Sequence, residues 1–204
     1  MMKITDSLIP VNNYNRPGRK STPKRICVHY TGDCGAPAAR LAAFWKNVAA
    51  GRFKDSPNSW TSAQYIVGLD GEIIRCVPDN EISYAATNQN ADTVHIEVCY
   101  KQKSGKFEEK SVAALAELVR SLMDKYSIPD GKVVRHYDLT GKLCPAYYVD
   151  ENRWAALHER ITAEPEPAAL YRVQVGAFSS RQNAEAYAEK IKQAGFGAFV
   201  VQVK

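Results

Sequence analysis

The run AQYIVGLDGEIIRCV, residues 63–77, decides the fold class. Its two halves, 63–69 and 72–77, are rich in β-branched and aromatic residues and read as strands. Asp70-Gly71 sits between them, and an Asp-Gly pair readily supplies the positive φ values of a two-residue hairpin turn. Outward from this hairpin, further strand-like runs lie at 25–30 (RICVHY), 94–99 (VHIEVC) and 133–137 (VVRHY). The period becomes helical at 38–50, where Leu41, Phe44, Trp45 and Val48 share one face and Pro37 suits the first turn. It is helical again at 111–126, through Val112, Leu115, Leu118, Val119, Leu122 and Tyr126. Helix and strand alternate around one hairpin, which predicts an α/β fold: a mixed central β-sheet flanked by helices.

The chain has 204 residues, 45% hydrophobic and 24% charged, enough for one domain or one domain with an appendage. That hydrophobic fraction excludes a disordered protein. No apolar run approaches the roughly 18 residues of a membrane span, so no membrane partner is expected. The opening segment MMKITDSLIPVNNYNRPGRK lacks the apolar stretch of a secretory signal, so the expected compartment is the cytoplasm, with reduced thiols. Net charge is +5, from 27 basic and 22 acidic residues, a mild bias. No Lys/Arg cluster interleaves with aromatics, so no nucleic-acid partner is expected.

The composition changes at 162–169, TAEPEPAA, a stiff extended spacer. Beyond it, Tyr171, Val173 and Val175 alternate with polar residues as a half-buried strand does. Ser179 and Gln182 have capping-box spacing, Ala184, Tyr187, Ala188 and Ile191 form a helical stripe, and Gly195 suits a C-cap. A second strand is expected at Phe199–Val203. The expected organisation is a main domain at 1–161, a spacer at 162–169 and a β-α-β unit at 170–204. Two strands and a helix cannot bury a sufficient core alone.

Three segments carry the chemistry: VHYT at 28–31, VHIEVC at 94–99 and RHYDLTGKLCP at 135–145. Two imidazoles and a thiolate near strand ends would suit zinc, and three protein ligands leave the fourth tetrahedral position open, as in catalytic sites. Spacing alone leaves other readings open. A strand histidine is commonly a satisfied core residue, and Cys144 could be a buried thiol. Glu97 alternates with Ile96 and Val98 and so shares a face with His95 and Cys99. A carboxylate there could move a proton, or could be a surface glutamate on an edge strand.

From about residue 22 to about residue 158, the chain resembles the type-2 zinc-dependent N-acetylmuramoyl-L-alanine amidases. That family includes phage endolysins and is related to peptidoglycan recognition proteins. VHYTG, SAQYIVGLDGEI, NADTVHIEVCY and RHYDLTGKLCP carry the resemblance, the last most specifically. It implies one Zn²⁺ held by His29, His136 and Cys144, with Glu97 as the catalytic carboxylate. Lys142 would lie beside the metal, where a fixed positive charge favours an oxyanion. The family has a small residue near His95, so His95 is expected to support the site or the fold rather than bind metal. Cys27 is expected to pack, and His158 to be an exposed helix residue. Gln64 replaces a histidine, and Tyr84-Ala85 replaces a Trp-His pair, at positions that line the family's substrate cleft. Trp60, Tyr84 and Thr140 are the candidate substrate contacts.

The C-terminal unit resembles half of a sporulation-related (SPOR) repeat, a peptidoglycan-binding module with two such halves. The missing half would come from another chain, giving a homodimer or higher even oligomer. Together the resemblances imply a peptidoglycan hydrolase acting between N-acetylmuramic acid and L-alanine, an endolysin kept in the cytoplasm until lysis. A non-catalytic wall-binding protein, or a host autolysin or sporulation amidase, is the alternative.

Overall fold

The computed structural model describes residues 2–164 and 173–202. Strands β1 (Ile4–Asp6), β2 (Arg25–Tyr30), β3 (Tyr65–Val67), β4 (Ile73–Arg75), β5 (Thr93–Val98) and β6 (Val133–Arg135) form one sheet. Their order is β1-β4-β3-β5-β2-β6, and only the β3–β4 pairing is antiparallel. That pairing is the expected hairpin, with Tyr65 opposite Arg75 and Val67 opposite Ile73. The turn is longer than the expected two residues: Gly68 donates its N–H to the Glu72 carbonyl at 2.8 Å across Leu69-Asp70-Gly71, and of these three Gly71, at φ +86°, takes the left-handed backbone.

The helices are α1 (Ala38–Ala49), α2 (Glu109–Tyr126), α3 (His136–Thr140), α4 (Glu151–Thr162) and α5 (Arg181–Gln193). A parallel sheet must be covered on both faces, and alternation along the strands sorts its residues accordingly. Ile26 and Val28 of β2 and Val94, Ile96 and Val98 of β5 join a core with Leu115, Leu118 and Leu122 of α2 and Leu157 and Ile161 of α4. On the opposite face, Ile66, Cys76 and Cys99 pack with Ala38, Ala42 and Trp45 of α1. The α1 helix lies over β3 and β4. Cys27, His29, His95 and Glu97 belong to this second face by alternation, on the neighbouring β2–β5 half.

The Asp150 carboxylate caps α4 by accepting the Arg153 backbone N–H at 3.0 Å. This helix continues through Thr162. The chain divides into two compact units, Met1–Glu164 and Pro165–Lys204.

In the second unit α5 forms as the apolar stripe predicts. Gly195 follows it at φ +88° and closes the helix, donating its N–H to the Lys192 carbonyl. The N-cap is Ser180, without a side-chain bond, rather than Ser179 in a capping box. The two expected strands are a correction: the described residues 173–178 and 196–202 carry no strand. A strand exists only through pairing, and these segments find no ladder partner among the described residues. Tyr171 and Val203 lie outside the described residues.

Candidate metal centre

The parallel register sets Cys27 beside His95 and His29 beside Glu97. On the other side of β2, Val28 pairs with Arg135, so the chain leaves β6 next to the C-terminal end of β2. His136 does not continue the strand, as its β-branched approach predicts. It is the first residue of α3. The Asp138 carboxylate supports this turn by accepting the backbone N–H of Arg135 at 2.7 Å, the N3-to-N-cap arm of a capping box.

The buried Arg135 guanidinium fastens the turn to the domain. It pairs with Asp138 and Glu151 and donates to the carbonyls of Tyr148 and Val149, both at 3.0 Å. Gly141, at φ +76°, ends α3. Tyr137 N–H then donates to the Cys144 carbonyl at 2.9 Å, which folds the cysteine back over the start of the helix.

The result is a buried cluster. Cys144 Sγ lies 3.8 Å from His29 Nδ1, and the His29 and His136 rings meet edge to face with centroids 4.5 Å apart. One donor atom from each of His29, His136 and Cys144 falls within 4.8 Å of the others. None of the three residues is more than 4% exposed. His136 Nδ1, Glu97 Oε2 and His95 Nε2 are buried without a hydrogen-bond partner among the described residues. Native proteins seldom leave such atoms unpartnered, and a ligand site is one of the recognised reasons.

The electrostatics point the same way. Burial, reinforced by His95 and His136, holds His29 well below the usual imidazole range. Burial, with Lys142 nearby, takes His136 to about 4. Both histidines therefore keep a free lone pair. Burial also pushes Cys144 up to about 12 and Glu97 up to about 8, against the lowering effect of Lys142. A cation would reverse both penalties, since it favours a thiolate and a carboxylate beside it. The donor set therefore fits a borderline-soft divalent ion.

Lys142 is exposed, and its charge bears on His29, His136, Glu97 and Cys144. The Thr140 hydroxyl is committed to its own turn, donating to the His136 carbonyl. Trp60 packs edge to face on Tyr14 and donates to the Phe53 carbonyl. Tyr84 is half-buried; its carbonyl accepts the Ser62 N–H, and its N–H donates to Ser62 Oγ. Cys27 is fully buried, and His158 lies on α4 with Nε2 3.1 Å from the Asp130 carbonyl oxygen.

Gln64 is a correction. It does not line a cleft but is completely buried, its amide bonded to the Glu81 carbonyl, Ser83 Oγ and His95 N–H. Sequence reading also passed over the Arg135–Asp138 cap, although an acid three residues beyond a strand end was a signal for it. It missed the His29–His95 contact, which only the β2–β5 register reveals.

Residues 19–147 match the N-acetylmuramoyl-L-alanine amidase family, and residues 163–204 match the SPOR domain. N-acetylmuramoyl-L-alanine amidase CwlL of Bacillus licheniformis is 32% identical over 165 residues, covering 74% of this chain and 44% of that protein. The amidase CwlH of Bacillus subtilis (strain 168) is 33% identical over 174 residues, covering 82% of this chain and 64% of that protein. The chain thus spans about half the length of the curated relatives it matches. A mutant endolysin from Bacillus subtilis superimposes with a TM-score of 0.65 at 32% identity, covering 79% of this chain and 99% of that one. The catalytic domain of XlyA superimposes at 0.62 with 31% identity, covering 78% and 99%. By sequence, by fold and by the match over residues 19–147, the chain belongs to the N-acetylmuramoyl-L-alanine amidase family.

Proposed function

We propose that this protein is a zinc hydrolase that cleaves the amide between the lactyl group of N-acetylmuramic acid and L-alanine in peptidoglycan. The observation that carries the reading is the buried convergence of His29, His136 and Cys144, with Glu97 beside His29 in register. Zinc held by those three side chains would supply Lewis acidity toward the scissile carbonyl and an acidified water.

The chain's own residues then do the following. Glu97 takes the proton of the attacking water on Oε2 and returns it to the departing alanine nitrogen. Lys142 places its charge where the carbonyl oxygen becomes negative. Thr140 and the aromatic residues Trp60 and Tyr84 are assigned to flank the glycan and peptide. Residues 1–161 form the catalytic part and 170–204 a wall-binding unit. Pairing of two such units makes the protein a homodimer or higher even oligomer. Its site of action is the bacterial wall, reached from the cytoplasm at lysis as an endolysin would reach it. Among the described residues no helix is long and apolar enough to cross a membrane.

Digestion of purified peptidoglycan tests this, with metal content measured alongside. The parent is expected to release new L-alanine amino termini and no reducing sugar ends. Glu97→Ala should keep its zinc but lose at least about 100-fold in rate, and Cys144→Ser should lose both metal and activity. Reducing ends would overturn the bond assignment. Undiminished lysis by Cys144→Ser would overturn the ligand set.

A further inference from the structure

The reaction above makes no use of the contact between His29 and His95. His29 Nε2 lies 3.0 Å from His95 Nδ1, with both rings buried and their centroids 5.1 Å apart. Two neutral ring nitrogens at that distance share one proton, so one donates and the other accepts. The opposite nitrogen of His29, Nδ1, faces Cys144 Sγ. A lone pair given to a cation at Nδ1 obliges Nε2 to carry the proton. His95 Nδ1 is then the acceptor, and His95 keeps its own proton on Nε2, an atom buried without a hydrogen-bond partner among the described residues.

We infer that His95 is a positioning residue for the metal centre, fixing both the tautomer and the ring orientation of His29. This rests on the reading of His29, His136 and Cys144 as the ligand set. His95 is itself held rigidly. Its backbone N–H donates to Gln64 Oε1 at 2.7 Å, and its carbonyl accepts the Gln64 N–H at 3.1 Å. Gln64 in turn donates to the Glu81 carbonyl at 2.7 Å and accepts from Ser83 Oγ at 2.9 Å. A buried polar chain thus runs from the loop after β4, through Gln64 and His95, to the ligand His29. Such outer partners commonly set ligand basicity and orientation.

The rival role for His95 is metal binding. Cys27, His29 and His95 also bring one donor each within 4.8 Å. A neutral His29 cannot serve both sets, because its Nε2 is either protonated or a donor to metal. The 3.0 Å line between two nitrogens is hydrogen-bond geometry, and it leaves His29 Nδ1 for the set with His136 and Cys144.

Zinc affinity of the full chain, measured against a chromophoric chelator, tests the assignment together with long-range ¹H–¹⁵N spectra of the imidazoles. The parent should bind one zinc. His95→Leu should bind it about 10- to 100-fold more weakly. His95→Asn, which keeps a carbonyl acceptor, should recover most of the loss, and Cys27→Ser should change little. The spectra should show His95 as the Nε2–H tautomer, and a slowly exchanging His29 Nε2–H that vanishes in His95→Leu. Parent-like affinity in a folded His95→Leu overturns the inference. So does a second zinc lost on changing Cys27 or His95, which would make His95 a ligand. Should His95→Leu fail to fold, an Nδ1–H tautomer in the parent overturns it instead. Parent-like zinc binding by Cys144→Ser is a different failure, that of the underlying ligand set.

Discussion

Glu97 illustrates how a buried side chain can weaken the fold. Burial raises its pKa from 4.5 to about 8, with Lys142 pulling the other way. Between those values the native state holds a proton that the unfolded chain has released, so the stability of the metal-free protein falls as pH rises. The histidines act in the opposite sense. His136 and His95 are lowered to about 4 and about 3 by burial, so their contribution is present above the ordinary 6.5 and is lost as pH falls. Glu97→Gln removes only the first effect. In denaturant titrations of chelated protein, the variant should gain stability over the parent from pH 4.5 to 8, then hold level. The gain should be on the order of 2 kcal/mol after discounting for partial exposure, and zinc should shrink it. A difference that does not change with pH would show that the carboxyl is not penalised. At this scale the sequence was legible where motifs are local: RHYDLTGKLCP singles out His136 and Cys144 through its resemblance to the family, and the fold brings both beside His29. The His29–His95 pair and the buried amide of Gln64 were not legible. Both follow from register between strands far apart in the chain.

The same division holds for the elements. The Asp70-Gly71 hairpin, α1 and α2 were readable because turn chemistry and the helical stripe are short-range signals. The turn at His136 was not, because VVRHY has a strand's composition and the outcome is set by Asp138 reaching back to Arg135 and by Arg135 reaching across to Glu151. α3 is five residues long and could not persist alone. It exists as a clamp between β6 and Cys144, and Gly141 is its pivot. A Cβ at Gly141 would meet nothing within 4 Å, so only the backbone at φ +76° resists substitution. Gly141→Ala should therefore cost about 1–2 kcal/mol of stability. Because the strain is relieved by moving the arm that carries Cys144, zinc affinity should fall several-fold as well. Gly141→Asn should be milder on both counts, since asparagine tolerates the left-handed region. Thermal unfolding of metal-free protein and chelator competition separate the two effects. Lost stability with unchanged zinc affinity would mean that the turn does not position the cysteine.

At the scale of the whole molecule, the two units differ in how they satisfy their apolar surface. The first encloses two cores, one on each face of its sheet. The second buries no residue of α5 and leaves Val173, Phe196 and Phe199 68–83% exposed. Val173 and Val175, and likewise Phe199 and Val201, alternate along the segments that were expected to pair as strands. Each large apolar side chain taken from water contributes about 1.5–3 kcal/mol, so several together strongly favour a partner that also supplies ladder bonds. A second copy of the same unit offers both, as an isologous contact does. Light scattering after size exclusion should give an even oligomer for the full chain and a monomer for residues 1–164. Phe199→Glu should dissociate the oligomer while leaving the zinc content and the hydrolysis of soluble fragments intact. It should also weaken retention on insoluble wall, because two linked binding units hold a polymer more tightly than one. A full chain that is monomeric at micromolar concentration, with Phe199→Glu unchanged in wall retention, would assign those exposed side chains to the wall itself rather than to a second copy.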